Sequence, residues 1–258
     1  MNNQVTFLGT GTSQGVPVIL CECEVCTSKN IKDNRTRSSI WIRWNDLDII
    51  VDTGPDFRTQ ILKHTPPKVD AVLFTHGHKD HVAGLDDIRA YNHKFNKKID
   101  IYADLNTQET LGREFQYVFD DFFKYPGIPE LNIHTIQRDT PLKIGNHEIM
   151  PIQVLHYKLE VFGFRFGDFT YLTDAKYIPD DQWKYLEGTK TLVLNALRRE
   201  PHISHFNLKE AIEVAQRVNA NQTYFTHISH LLGLHDEVSK ELPENIFLAY
   251  DGLTIQIE

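Results

Sequence analysis

Apolar positions along the chain fall into short runs with two spacings. Val5-Thr6-Phe7-Leu8 reads as a strand. Ser39 to Trp44 and Leu47 to Asp52, on either side of Asn45-Asp46, read as a β-hairpin. Val69 to Phe74 is apolar and rich in β-branched and aromatic residues, which predicts a buried strand. Ile99 to Ala103, Leu131 to Gln137, His147 to Leu155, Thr191 to Asn195 and Thr223 to Thr226 predict further strands. Val161 to Phe166 and Phe169 to Leu172 suggest a hairpin around Gly167-Asp168, and Ile246 to Tyr250 with Leu253 to Ile257 a closing one around Asp251-Gly252. Helices are expected from Asp56 to Lys63, through Val82, Leu85, Ile88 and Ala90, from Asn106 to Val118, from Ile178 to Leu186 and from Leu208 to Val218, the last capped by Asn207. Elements of both kinds are interspersed with no flexible linker. The expectation is one domain, 1–258, with its site along one edge.

Histidines concentrate where a strand ends. His76-Gly77-His78-Lys79-Asp80-His81 follows Val69 to Phe74 directly and leads into a helical spacing. Strand-to-helix loops are where α/β folds carry their chemistry. His76 and His78, two apart, can point the same way, while Asp80 and His81 turn to another side, which suits two metal ions side by side. His156, Asp174 and His227 each follow an apolar strand as well. Asp52, at the end of a strand before Thr53-Gly54, is placed to hydrogen-bond a ligand histidine from behind.

Composition narrows the setting. The chain has 258 residues, 41% hydrophobic and 24% charged, enough for a sizeable core. No apolar run reaches the ~20 residues of a membrane span, and Met1-Asn2-Asn3-Gln4 lacks a secretory pattern. Cytoplasm is the expected compartment. A net charge of −8 without a basic run argues against a large nucleic-acid footprint. It leaves room for a small anionic substrate, because bound divalent ions supply local positive charge.

The three cysteines, Cys21, Cys23 and Cys26, form Cys-x-Cys-x-x-Cys on a short loop. An odd number is a poor disulfide framework. Spacing alone leaves open a three-thiolate metal site lacking its fourth ligand, or three reduced thiols. The glycine-rich stretch Gly9 to Pro17 reads equally as an anion cradle or a tight turn, and it has no Gly-Lys-Ser/Thr ending. The aromatic loop Phe119 to Leu131, with Phe122, Phe123 and Tyr125, reads as packing under a long loop, as a pocket wall or as a subunit contact.

His-x-His-x-Asp-His, followed in order by His156, Asp174 and His227, resembles the metallo-β-lactamase superfamily over essentially the whole chain. The resemblance implies an α/β (α+β) fold, an αββα sandwich of two mixed sheets with helices outside. It implies that His76, His78 and His156 bind one ion, that Asp80, His81 and His227 bind a second, and that Asp174 bridges them, with Asp52 behind. Gly9-Thr10-Gly11 through Gln14-Gly15-Val16-Pro17 and the cysteine loop within residues 9–30 look like the PhnP-type cyclic phosphodiesterases. That resemblance implies a structural zinc on Cys21, Cys23, Cys26 and His230. It also implies a catalytic His205 beside Asp80, a homodimer, and 5-phosphoribosyl 1,2-cyclic phosphate or a similar small phosphodiester as substrate. His202 reads as structural or peripheral. Arg198 or Arg199 either pairs with a substrate phosphate or stays solvated.

The implied chemistry is attack by a hydroxide held between two ions, Mn²⁺ or Zn²⁺, with protonated His205 donating to the leaving oxygen. Rival readings are a ribonuclease Z, a lactonase or thioesterase of the same fold, and a catalytically idle metal scaffold.

Overall fold

The computed structural model describes residues 3–120, 122 and 125–258. Among them, strands β1 (Gln4–Gly9), β2 (Ser39–Trp44), β3 (Leu47–Val51), β4 (Ala71–Leu73), β5 (Ile99–Ala103) and β6 (Leu131–Thr135) lie side by side in chain order. A second sheet runs β13-β12-β11-β10-β9-β8-β7, built from β7 (Leu142–Ile144), β8 (His147–His156), β9 (Leu159–Phe166), β10 (Phe169–Tyr171), β11 (Thr191–Asn195), β12 (Gln222–Thr226) and β13 (Ile246–Leu248). The last strand, β14 (Thr254–Gln256), returns to the first sheet and pairs antiparallel with β1. Both sheets are mixed. β1 to β3 and β7 to β10 are antiparallel, and β3 to β6 and β10 to β13 are parallel.

The central strands are buried on both faces because each sheet is covered twice. Ile40 and Ile42 of β2 face the inner core shared with Phe164, Tyr171 and Val193 of the second sheet. Trp41, between them, turns to the outer layer with Phe57 and Leu111. Helices α1 (Phe57–His64), α2 (Lys79–Val82), α3 (Arg89–Phe95), α4 (Leu105–Glu114) and α5 (Gln116–Phe119) follow the first sheet's strands. On the far side, α6 (Leu208–Val218) and α7 (His235–Glu241) contribute Ala211, Ala215 and Val238 to a core with Val154 and Leu194. The result is the expected αββα sandwich. No helix among the described residues is long and apolar enough to cross a membrane.

Several boundaries differ from expectation. The closing hairpin does not form: β13 pairs parallel with β12, and β14 joins β1 in the other sheet. Asp251 accepts from Thr10 and Thr36 instead of closing a two-strand turn, so the chain crosses between sheets there. The helix expected from Asn106 to Val118 breaks at Phe115, which leaves helical geometry (φ −121°) as its ring joins the outer core. Asp180–Tyr185 is a 3₁₀ helix. The Asn207 cap is present as a capping box with Glu210.

Candidate metal centre

β4 delivers Thr75 and His76 to the edge of the first sheet, and Asp80 and His81 occupy the single turn of α2. His156 is the last residue of β8, Asp174 follows β10, and His227 follows β12. These strand ends meet at one edge of the sandwich. His76 Nε2 lies 2.9 Å from His78 Nδ1. His81 Nε2 lies 3.2 Å from an Asp80 oxygen and 3.4 Å from Asp174 Oδ2. Asp174 Oδ2 is also 3.3 Å from His227 Nδ1, and Oδ1 is 3.8 Å from His205 Nε2. Asp174 thus lies among His81, His227 and His205, and it also groups with His76 and with His156 within 4.8 Å. Asp52, Asp174 and His227 all adopt left-handed backbone, with φ of 65°, 56° and 55°. Such conformations in residues other than glycine cluster at functional sites.

Partners on the outer side aim each ring. Asp52 Oδ2 accepts from His81 Nδ1 at 2.7 Å, and the same carboxylate accepts from the Thr75 amide and hydroxyl. His156 Nδ1 donates to the Ser204 carbonyl at 2.9 Å. Thr75 Oγ1 is 3.0 Å from His76 Nδ1, and Thr12 Oγ1 is 3.2 Å from His227 Nε2. The inward nitrogens of His81 and His227 are buried without a hydrogen-bond partner. Orphaned inward nitrogens beside carboxylates fit divalent cations, and a His/Asp donor set accepts zinc, manganese or iron.

The electrostatics match such a site. Burial opposes ionisation of Asp80 and Asp174, yet the surrounding histidines outweigh it and hold both carboxyls below the usual range. Burial also opposes a charged His81, but Asp80, Asp174 and Asp52 together raise it well above the usual histidine value. A cation bound there would displace that proton. Burial lowers His76, His78 and His227. His205 is pushed down to about 3 by burial and then by His227.

A second cluster lies on the cysteine loop. Cys21 and Cys23 sulfurs are each 3.3 Å from His230 Nδ1, and Cys26 completes a group whose donor atoms lie within 4.8 Å of one another. A hydrogen bond from the Cys26 backbone and then His230 bring Cys23 down to about 6, so a thiolate is available near neutral pH. Burial pushes Cys26 up to about 11. Three thiols and an imidazole match the Cys₃His pattern of a structural zinc site.

The two arginines and the aromatic loop lie apart from this chemistry, whereas His202 borders it. Arg198 folds back onto the carbonyls of Glu200 and Pro201, and Arg199 forms a two-pronged pair with Glu241. His202 stacks on His205 at 5.1 Å. In the aromatic loop, Phe119 packs against the outer core and Tyr125 stacks on Tyr117, while Phe123 lies outside the described residues. Sequence reasoning missed Thr12, Thr75 and the Ser204 carbonyl. The threonine before His76 was a signal within reach, whereas a backbone carbonyl leaves none.

A cavity of about 300 Å³ opens beside His76 and the exposed His78. Lys79, Asn106, Thr110, Arg113, Glu114 and Glu160 line it together with Leu159. Lys79 is paired with Glu114 across it.

Residues 48–228 match the family described as the Beta-lactamase superfamily domain. The solved structure of a diphosphatase from the PhnP family is 37% identical, with a TM-score of 0.92 over 99% of this chain and 98% of that one. The chain is also 36% identical to a Porphyromonas gingivalis protein named octanoyltransferase, over 98% of this chain but 51% of the relative, so it spans about half that relative's length. Zinc-bound PqqB from Methylobacterium extorquens shares the fold at 19% identity, with a TM-score of 0.80 over 98% of this chain and all of that one. The sequence match and the near-complete superposition agree: the chain belongs to the metallo-β-lactamase superfamily of metal-dependent hydrolases, in its PhnP family.

Proposed function

We propose that the protein is a phosphodiesterase that opens a small cyclic phosphodiester, 5-phosphoribosyl 1,2-cyclic phosphate or a similar cyclic phosphate, to a monoester. The carrying observation is the Asp174-centred donor set beside a cavity lined by Lys79 and Arg113. His76, His78 and His156 would hold one ion, Asp80, His81 and His227 the other, with Asp174 between them. Bound there, divalent ions supply a Lewis acid for a phosphoryl oxygen and lower the pKa of water.

The chain's own residues orient and move protons. Asp52 fixes the His81 ring, and the Ser204 carbonyl fixes His156. Burial keeps His205 neutral in the free protein. In the proposed step a proton from bulk water reaches His205 once an anionic phosphate lies beside it, and Nε2 passes that proton to the leaving oxygen. Cys21, Cys23, Cys26 and His230 would hold a structural zinc, and the whole chain acts as one domain.

A ribonuclease would need a basic grip, whereas this rim also carries Asp104, Glu114 and Glu160. The name octanoyltransferase favours a second reading, hydrolysis of an acyl thioester. Lys79 and Arg113 are the side chains of the cavity wall that support the phosphate reading.

The test is turnover by zinc- or manganese-loaded protein of 5-phosphoribosyl 1,2-cyclic phosphate, bis-p-nitrophenyl phosphate and an octanoyl thioester, with His205→Ala alongside. Cyclic-phosphate opening lost in the variant, with metal content unchanged, is the expected result. Thioester turnover alone would overturn the reading. Loss of an ion in His205→Ala would make His205 a ligand instead of an acid.

A further inference from the structure

Most amides of the glycine-rich stretch after β1 are committed: Thr10 N–H to Asp251, Gly11 N–H to the Thr36 carbonyl, Thr12 N–H to the Ile228 carbonyl, and Gly15 N–H to the Thr12 carbonyl, with Ser13 and Gln14 exposed between them. In return, Ile228 N–H donates to the Thr10 carbonyl, so the stretch is laced along the segment that carries His227. One side chain from it reaches the metal centre. Thr12 Oγ1 sits 3.2 Å from His227 Nε2, and both residues are buried.

The partner is chemically different from the one behind His81. Asp52, as a carboxylate, only accepts, which fixes His81 with its proton on Nδ1. A threonine hydroxyl both donates and accepts. His227 has competing demands on its inner nitrogen. Nδ1 lies 3.3 Å from Asp174 Oδ2, where a proton would be welcome without an ion, while ion binding requires that nitrogen bare. The ring must then carry its proton on Nε2, against Thr12.

We propose that Thr12 is a positioning residue that anchors His227 in both tautomers. Without an ion, the Thr12 O–H donates to Nε2 while Nδ1–H faces Asp174. With an ion, Nε2–H donates to the Thr12 oxygen. The ring keeps an outer hydrogen bond in either state, so the second ion enters or leaves without turning the imidazole. Asp251 holds the arrangement from behind by accepting from the Thr10 amide and hydroxyl.

This inference rests on the two-ion reading, and its test separates the two. Zinc stoichiometry and affinity are measured by calorimetry for the wild type, Thr12→Val and Thr12→Ser, with thermal midpoints of the metal-free proteins. Ring ¹⁵N shifts of His227 are recorded with and without zinc. Expected are a move of the ring proton from Nδ1 to Nε2 on loading, and a roughly 10–100-fold weaker second zinc in Thr12→Val. The second zinc should return in Thr12→Ser, and the metal-free midpoints should be similar. A wild type that binds no zinc at the histidine cluster would defeat the two-ion reading itself. A wild type that binds two such ions, with Thr12→Val doing so equally well, would overturn the role of Thr12 alone. So would equal losses in Thr12→Val and Thr12→Ser, or a ring proton that stays on one nitrogen.

Discussion

Asp52 and His81 are joined by a 2.7 Å contact between a carboxylate and Nδ1, with both side chains fully inaccessible to solvent. Burial raises the Asp52 pKa, while three carboxylates raise that of His81. Asp52→Asn keeps the shape but loses the acceptor-only character that fixes the ring. Its metal affinity or kcat/KM is expected to fall by roughly 10–100-fold, the usual effect of removing such a partner. Metal titration and steady-state kinetics check this, and wild-type values would mean Thr75 suffices.

Cys23→Ser removes one of the two sulfurs nearest His230. Loss of one metal equivalent per chain is expected, together with a lower Tm. Each kcal/mol lost moves the midpoint of a chain this size by about 2–4 °C. Elemental analysis with a thermal scan reads both, and an unchanged metal count would remove the cysteine site from the picture.

Gly54 tests how tightly the strand end after β3 docks on α2. A Cβ there would stand 2.1 Å from the Asp80 carbonyl oxygen, so Gly54→Ala must displace backbone. A loss of about 1–3 kcal/mol is the general cost of such overpacking. Urea unfolding measures it, and metal affinity should weaken in parallel because Asp80 moves.

His235 gives a pH signature separate from the metal centre. Burial, then the charge of Arg35, bring it from 6.5 down to about 4. Its folded value lies below the unfolded one, so the unfolded chain takes up the proton first. The stability it contributes is complete above 6.5 and declines as pH falls towards 4. In His235→Gln that part of the acid slope should vanish, as read from urea midpoints at pH 7 and 5. An identical slope would show that His235 does not carry it.

The site was more legible than the closure of the fold. Histidines and aspartates at the ends of apolar strands announce themselves, because strand period and ligand chemistry are both local. His76, Asp80, His81, His156, Asp174 and His227 lie in overlapping donor groups at one edge, with His205 beside His156 and Asp174. The destination of β14 was not legible, because a three-residue strand carries no pairing information and Asp251-Gly252 looks the same in a hairpin or a crossover. The break at Phe115 belongs to packing, since its ring gains more from the outer core than the backbone loses by leaving the helix. Arg199 shows the limit for charged residues: its partner Glu241 sits on α7, a helix with no clear sequence period.

The donors of the centre are divided between the two sheets. His76, His78, Asp80 and His81 follow β4 of the first, and His156, Asp174 and His227 follow β8, β10 and β12 of the second. Neither layer alone owns a complete coordination set, so the centre is a latch that exists only when the layers are closed. The apolar core already holds the sheets together, so a bound ion should add its binding energy to that closure. A chelator would then lower the unfolding midpoint of this chain, and free metal would add folding stability in proportion to the logarithm of its concentration.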